Sequence, residues 1–110
     1  MARGAEIRAL LERGKRERTR NLDVFVGASP ASRSRLGLVV PKHGRRIVER
    51  NRLKRRLREI GRRHVLPALE ERGEPTDLLV RARRSAYEVE YETLKRELME
   101  ALEAAWPGRS

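Results

Sequence analysis

The chain has 110 residues, enough for one domain with a single modest core (1–110) and too few for two. Its 27 Lys and Arg against 16 Asp and Glu give a formal net charge of +11, which points first to nucleic acid and second to an anionic membrane surface. The absence of cysteine excludes a disulfide framework or thiolate metal site, and the apolar runs are too short for a membrane span or signal segment, so a cytoplasmic protein is expected.

Residues 5–12 place Ile7, Leu10 and Leu11 at helical spacing, with Gly14 as the stop. The charged run Lys15–Arg20 reads as a loop. From Leu22 to Val26 the residues alternate: Leu22, Val24 and Val26 face one way, Asp23 and Phe25 the other, as in a half-buried strand. Phe25, an aromatic on the polar face, is either a sheet-edge packing residue or a base-stacking platform. Gly27-Ala28-Ser29-Pro30 is turn chemistry, and Leu36–Val40 reads as the other arm of a hairpin. Pro41 and Gly44 then break the chain before a basic helix.

That helix spans Arg45 to Arg63, bends near Gly61 and is expected to stop before or around Pro67. Its nineteen residues hold nine Arg and one Lys against Glu49 and Glu59. Leu53, Leu57 and Ile60 form an apolar stripe, continued by His64, while Asn51, Arg55, Arg58 and Arg62 share the opposite side with Lys54 at its edge. One face can dock on a core while the other presents guanidinium groups, whose planar forks suit phosphate oxygens. Gly73-Glu74-Pro75 is a further break before a third strand over 77–83. A closing helix runs from Tyr87 or Glu88 to Ala105 through Tyr91, Leu94, Leu98 and Leu102, and Trp106 is expected to pack at its end. The order α-β-β-α-β-α predicts an α+β chain, a small α/β sandwich with helices packed on one sheet.

No catalytic constellation emerges. His64 lies on the apolar side of the basic helix, where a packed or edge role is expected, and His43 stands in a loop among cations, suited to meeting an anion. Neither metal-ligand spacing nor a Walker-type glycine loop is present. A major-groove DNA reader would need a helix-turn-helix partner that does not precede the basic helix, and a membrane-surface helix would need the apolar face that the core requires. DNA and membrane are therefore not expected as partners.

The segment Arg50-Asn51-Arg52-Leu53-Lys54-Arg55-Arg56-Leu57-Arg58-Glu59 resembles the Arg-Asn-Arg signature helix of the bacterial ribonuclease P protein family. Leu36–Val40, Lys42, Asp77–Arg83 and Tyr91–Leu98 are similar to the flanking parts of that family, and the resemblance covers about residues 5–102. It implies a left-handed βαβ crossover, against the usual hand, and a subunit of a tRNA 5′-processing endoribonuclease. Catalysis would come from an RNA partner that holds Mg²⁺, with no cofactor bound by the protein alone and one protein per RNA. By the same resemblance Arg45, Arg46, Arg50, Asn51, Arg52, Lys54, Arg55, Arg58 and Arg62 would contact the catalytic RNA. Phe25, Ile7, Leu11, Lys42, His43 and Arg81 would meet the 5′ leader of precursor tRNA. Ile7 and Leu11 stand where many members carry Phe, and His43 replaces the second Lys of a pair. A ribosomal or other structural RNA-binding protein, with the same helix but no single-strand cleft, is the alternative.

Overall fold

Alternating apolar residues build two strands of opposite polarity in the middle of one mixed sheet. The computed structural model describes residues 4–105, and Trp106 lies outside them. Helix α1 (Gly4–Arg13) leads into strands β1 (Lys15–Arg18), β2 (Leu22–Ala28) and β3 (Arg35–Val39). Helix α2 (Ile47–Ile60) continues through a π turn (Gly61–Val65) into α3 (Leu66–Arg72), followed by β4 (Thr76–Ala82), a 3₁₀ turn (Arg84–Glu88) and α4 (Tyr91–Ala105).

The sheet order is β1-β2-β4-β3, with β1-β2 and β2-β4 antiparallel and β3-β4 parallel. The hairpin expected between β2 and β3 is therefore not formed, because β4 inserts between them. Two parallel neighbours require a long crossover, and α2 with α3 supplies it. One expected loop is also a strand: Lys15–Arg18 pairs with Val26–Asp23 along the sheet edge. Its lack of any apolar residue hid it, yet charged side chains are what an edge strand tolerates best.

Period-two alternation gives the sheet two unlike faces. Leu22, Val24, Val26, Leu78, Val80 and Ala82 join Leu53, Leu57, Ile60, Leu69, Leu94, Leu98 and Leu102 in the main core, under the crossover helices and α4. On the other face Phe25 and Leu79 pack with Leu10 of α1, flanked by Ile7, Leu11 and Val39. Phe25 does project away from Leu22, Val24 and Val26 on the polar face, but α1 covers that face there, and the ring is only 3% exposed. Leu10 reaches Phe25 because Gly14 and Gly27 have no side chain. A Cβ at either would stand 2.8 Å from Leu10 Cδ1.

The basic helix also runs further than its proline suggests. Gly61 keeps right-handed helical geometry, and a Cβ there would collide with Leu36 Cδ2, so glycine lets the crossover press against β3. The wide π turn ends just before Pro67, whose ring would crowd an ordinary preceding turn. The helix stops at Gly73, which takes the left-handed conformation at φ 79°.

Candidate nucleic-acid interface

The buried stripe Leu53, Leu57 and Ile60 fixes the roll of α2, and that roll decides which cations face solvent. Asn51, Arg52, Arg55 and Arg58 are exposed and Lys54 is half-buried at the edge. None of these five has an ion-pair or hydrogen-bonding side-chain partner among the described residues. Arg62 lies on the π turn with its side chain 73% exposed and reaches Glu59 at 3.0 Å. Arg63 pairs with the same Glu59 at 2.8 Å, leaving one carboxylate between two cations. Exposed pairs of this kind hold little energy, so phosphate oxygens can displace them.

Other members of the expected RNA-binding set have a second task. Arg45 is ion-paired to Glu49 and Glu88 and stacks over Tyr87, 5.1 Å from its ring centroid. Arg50 donates from Nε to the carbonyl of Val40 at 2.8 Å, tying α2 to the end of β3. Arg46 is 82% exposed with only a 3.7 Å approach to Glu49. Glu49 accepts from the backbone N–H of Arg46 at 3.2 Å. That bond lowers its pKa against a desolvation cost, helped by Arg45 and Arg46. Lys42 and His43 occupy the loop after β3; Lys42 is exposed, whereas His43 is half-buried with φ 49° and meets Tyr87 edge-on at 6.4 Å. His64 is half-buried on the π turn, consistent with an edge residue.

Of the expected leader set, Ile7, Leu11, Phe25 and Arg81 come together on the sheet face beneath and beside α1. Lys42 and His43 leave the sheet at the same end as Arg81, which is level with Val39 of β3. The structure adds three residues that the sequence reading missed. Arg16 lies opposite Phe25 in the β1-β2 register, and Asp23 lies opposite Arg18 on one side and Arg81 on the other. Asp23 accepts from Arg18 Nε at 2.8 Å, Arg16 at 3.4 Å and Arg81 at 3.3 Å. Burial works against its charge, but the hydrogen bonds from Arg18, Arg16 and Arg81 more than offset this and hold its pKa below 3.8, the ordinary aspartate value. Its contribution to folding is thus complete at neutral pH and is lost only as pH falls through that depressed value. Arg16 and Arg81 also cover Phe25, at 5.6 and 5.5 Å from the ring centroid.

A second buried polar cluster secures this edge of the sheet. Glu97 of α4 accepts from Thr19 Oγ1 at 2.6 Å, from the Asn21 backbone at 3.0 Å and from Asn21 Nδ2. Arg83 donates to the carbonyls of Thr19 and Arg20, and Ser85 to that of Arg20. The β1-β2 connection is therefore held from two sides. Among the described residues no three His, Asp or Glu side chains gather as a metal site, and no helix is long and apolar enough to cross a membrane.

Comparison with known proteins agrees with this geometry. The chain matches the Ribonuclease P family over residues 1–106. It is 36% identical over 105 residues to a ribonuclease P protein component of Kocuria rhizophila, spanning 96% of this chain and 89% of that one. A protein of the same description from Thermus scotoductus is 47% identical over 73 residues, covering 66% of this chain and 41% of its own. Among solved structures, the Thermotoga maritima ribonuclease P protein superposes with a TM-score of 0.73 at 26% identity, over 90% of each chain. The Staphylococcus aureus protein shares the fold with a TM-score of 0.79 at 24% identity, over 96% of this chain and 93% of that one. A parallel β3-β4 pair, a cation-lined crossover helix and this family match converge: the chain belongs to the ribonuclease P protein family.

Proposed function

We infer that this chain is the protein component of a ribonuclease P and supports endonucleolytic 5′ maturation of precursor tRNA. The observation that carries the reading is the strip Asn51, Arg52, Lys54, Arg55 and Arg58, which α2 presents with no ion pair among the described residues, on a helix braced by the core. An unneutralised row of guanidinium groups on a rigid support binds a phosphate backbone, releasing its counterions. Cleavage is assigned to the RNA partner together with the Mg²⁺ that this RNA holds. The protein reduces repulsion between two polyanions and positions the substrate. One protein per RNA, a cytoplasmic setting and capture of the single-stranded leader by the α1-covered sheet face complete the reading. A structural RNA-binding protein outside tRNA processing is set aside by the family match.

The test is cleavage of precursor tRNA by the cognate RNA at low Mg²⁺ with and without the protein. Addition should restore turnover, and the protein alone should cleave nothing. Arg55→Ala with Arg58→Ala should leave the fold intact, since both side chains are exposed. The double variant should bind the RNA more weakly and reduce the slope of log K against log salt by roughly one to two units. An unchanged slope at normal affinity would remove the RNA from this face.

A further inference from the structure

On the side of the sheet away from α1, a cavity of about 310 Å³ opens between α2 and the segment leading from the 3₁₀ turn into α4. Its polar lining divides into groups already engaged and groups left open. Glu49 and Glu88 are both ion-paired to Arg45, and Arg46 also approaches Glu49. Tyr87 donates its hydroxyl to the Pro41 carbonyl at 2.7 Å and carries Arg45 over its ring. These side chains make a fixed wall. Arg52, the Glu90 carboxylate and the Tyr91 hydroxyl have no hydrogen-bond or ion-pair partner among the described residues. Arg56 makes one bond, from Nη1 to the Val89 carbonyl at 3.4 Å. With Arg45 and Arg46 answering Glu49 and Glu88, the open groups hold two positive charges against one negative.

We propose that this cavity receives one unpaired nucleotide of the RNA that α2 binds. Arg52 and Arg56 hold its phosphate, Tyr91 supplies a ring for its base, and Glu90 accepts from the amino group of that base. This rests on the reading above, in which α2 docks on a catalytic RNA, and adds a recess that belongs half to α2 and half to residues 87–91. Arg52 lies both in the exposed strip and at the cavity, so a backbone following the strip reaches the recess directly. Arg52 and Arg56 stand one helical turn apart on the same side of α2, where both guanidinium groups reach one phosphate. The volume sits at the low end of ligand pockets, roughly 300 Å³, which suits a single nucleotide and no duplex. The net single positive charge of the open groups matches one phosphodiester. A carboxylate only accepts hydrogen bonds, so beside a polyanion Glu90 needs a donor from the ligand. Adenine, cytosine and guanine carry an exocyclic amino group, whereas uracil turns carbonyl oxygens toward the acid. An unpaired base also costs least to swing out of its stack.

The test turns on the sign of one substitution, with the protein bound to its cognate catalytic RNA. On charge alone, removing an acid beside RNA should strengthen binding. The site requires the reverse: Glu90→Ala should weaken binding on the order of tenfold, with the slope of log K against log salt unchanged. Tyr91→Ala should weaken it similarly, since a lost base stack neutralises no phosphate. Base-specific modification of the RNA by dimethyl sulfate and kethoxal should show an unpaired A, C or G that wild-type protein shields and both variants leave reactive. Glu90 is exposed, so its variant should fold; should Tyr91→Ala lose its helical circular dichroism, Glu90→Ala carries the test alone. Unchanged or tighter binding by Glu90→Ala, or no base whose shielding depends on Glu90, would overturn the site and leave the proposed function standing. Failure of the wild-type protein to bind the cognate RNA would overturn that function and the site with it.

Discussion

Replacing Phe25 with Ala should lower the free energy of unfolding by about 3–5 kcal/mol, read as a shift of the urea midpoint at unchanged slope. The ring is 3% exposed and fills the space between Leu10 and Leu79, so its removal leaves a cavity under α1. Arg16 and Arg81 lose the surface they lie on, and the substitution should therefore weaken binding of a leader-bearing substrate as well. Phe25→Leu separates the two losses: it refills most of the volume but offers no aromatic face, so stability should recover more than substrate affinity. A loss under about 1 kcal/mol for Phe25→Ala would mean that α1 does not need the ring.

Glu97→Ala should cost roughly 2–4 kcal/mol, because it removes the acceptor of two buried Asn21 donors and leaves Thr19 Oγ1 only the Leu22 carbonyl at 3.2 Å. The donors are Thr19 Oγ1, the backbone N–H of Asn21 and Asn21 Nδ2, all in the connection between β1 and β2. Hydrogen exchange should show where the cost falls: protection of the Asn21 amide should drop sharply while that of α2 changes only with global stability. Uniform loss of protection across the chain would mean that Glu97 is a general core residue rather than a clamp on this connection.

Most of the architecture could be read from periodicity. The stripe Leu53-Leu57-Ile60 gives α2 its orientation, and with it the exposure of Arg55 and Arg58. Alternation in Leu22–Val26 placed Phe25 on the minor face correctly. Pairing was not legible, since nothing local in β2 or β3 says that β4 separates them; that is decided by how the crossover helices pack. The strand Lys15–Arg18 escaped because an edge strand with charges on both faces has no apolar alternation to detect. For the same reason Arg16 and Arg18 were missed as site residues, while Asp23 looked like an ordinary polar position in a half-buried strand. Lys15-Arg16-Glu17-Arg18 does alternate in charge, and that was the one available signal. Arg45 and Arg50 were read only as RNA contacts because their second partners, Glu88, Tyr87 and Val40, are distant in sequence or belong to the backbone.

The unpaired cations of α2 have a consequence for the free protein. Arg52, Arg55 and Arg58 follow one another at three-residue spacing, where like charges lie within a turn and repel. The helix survives because its other face is anchored in the core, so the repulsion is stored in the folded protein as electrostatic tension. Added salt screens that repulsion, and it also competes with the protein for RNA phosphates. Moderate salt should therefore act in opposite directions on one set of side chains, raising the melting temperature of the protein alone while loosening its grip on RNA. Bound RNA relieves the same tension at low salt, so the complex should melt well above the free chain there and lose that advantage as ionic strength rises.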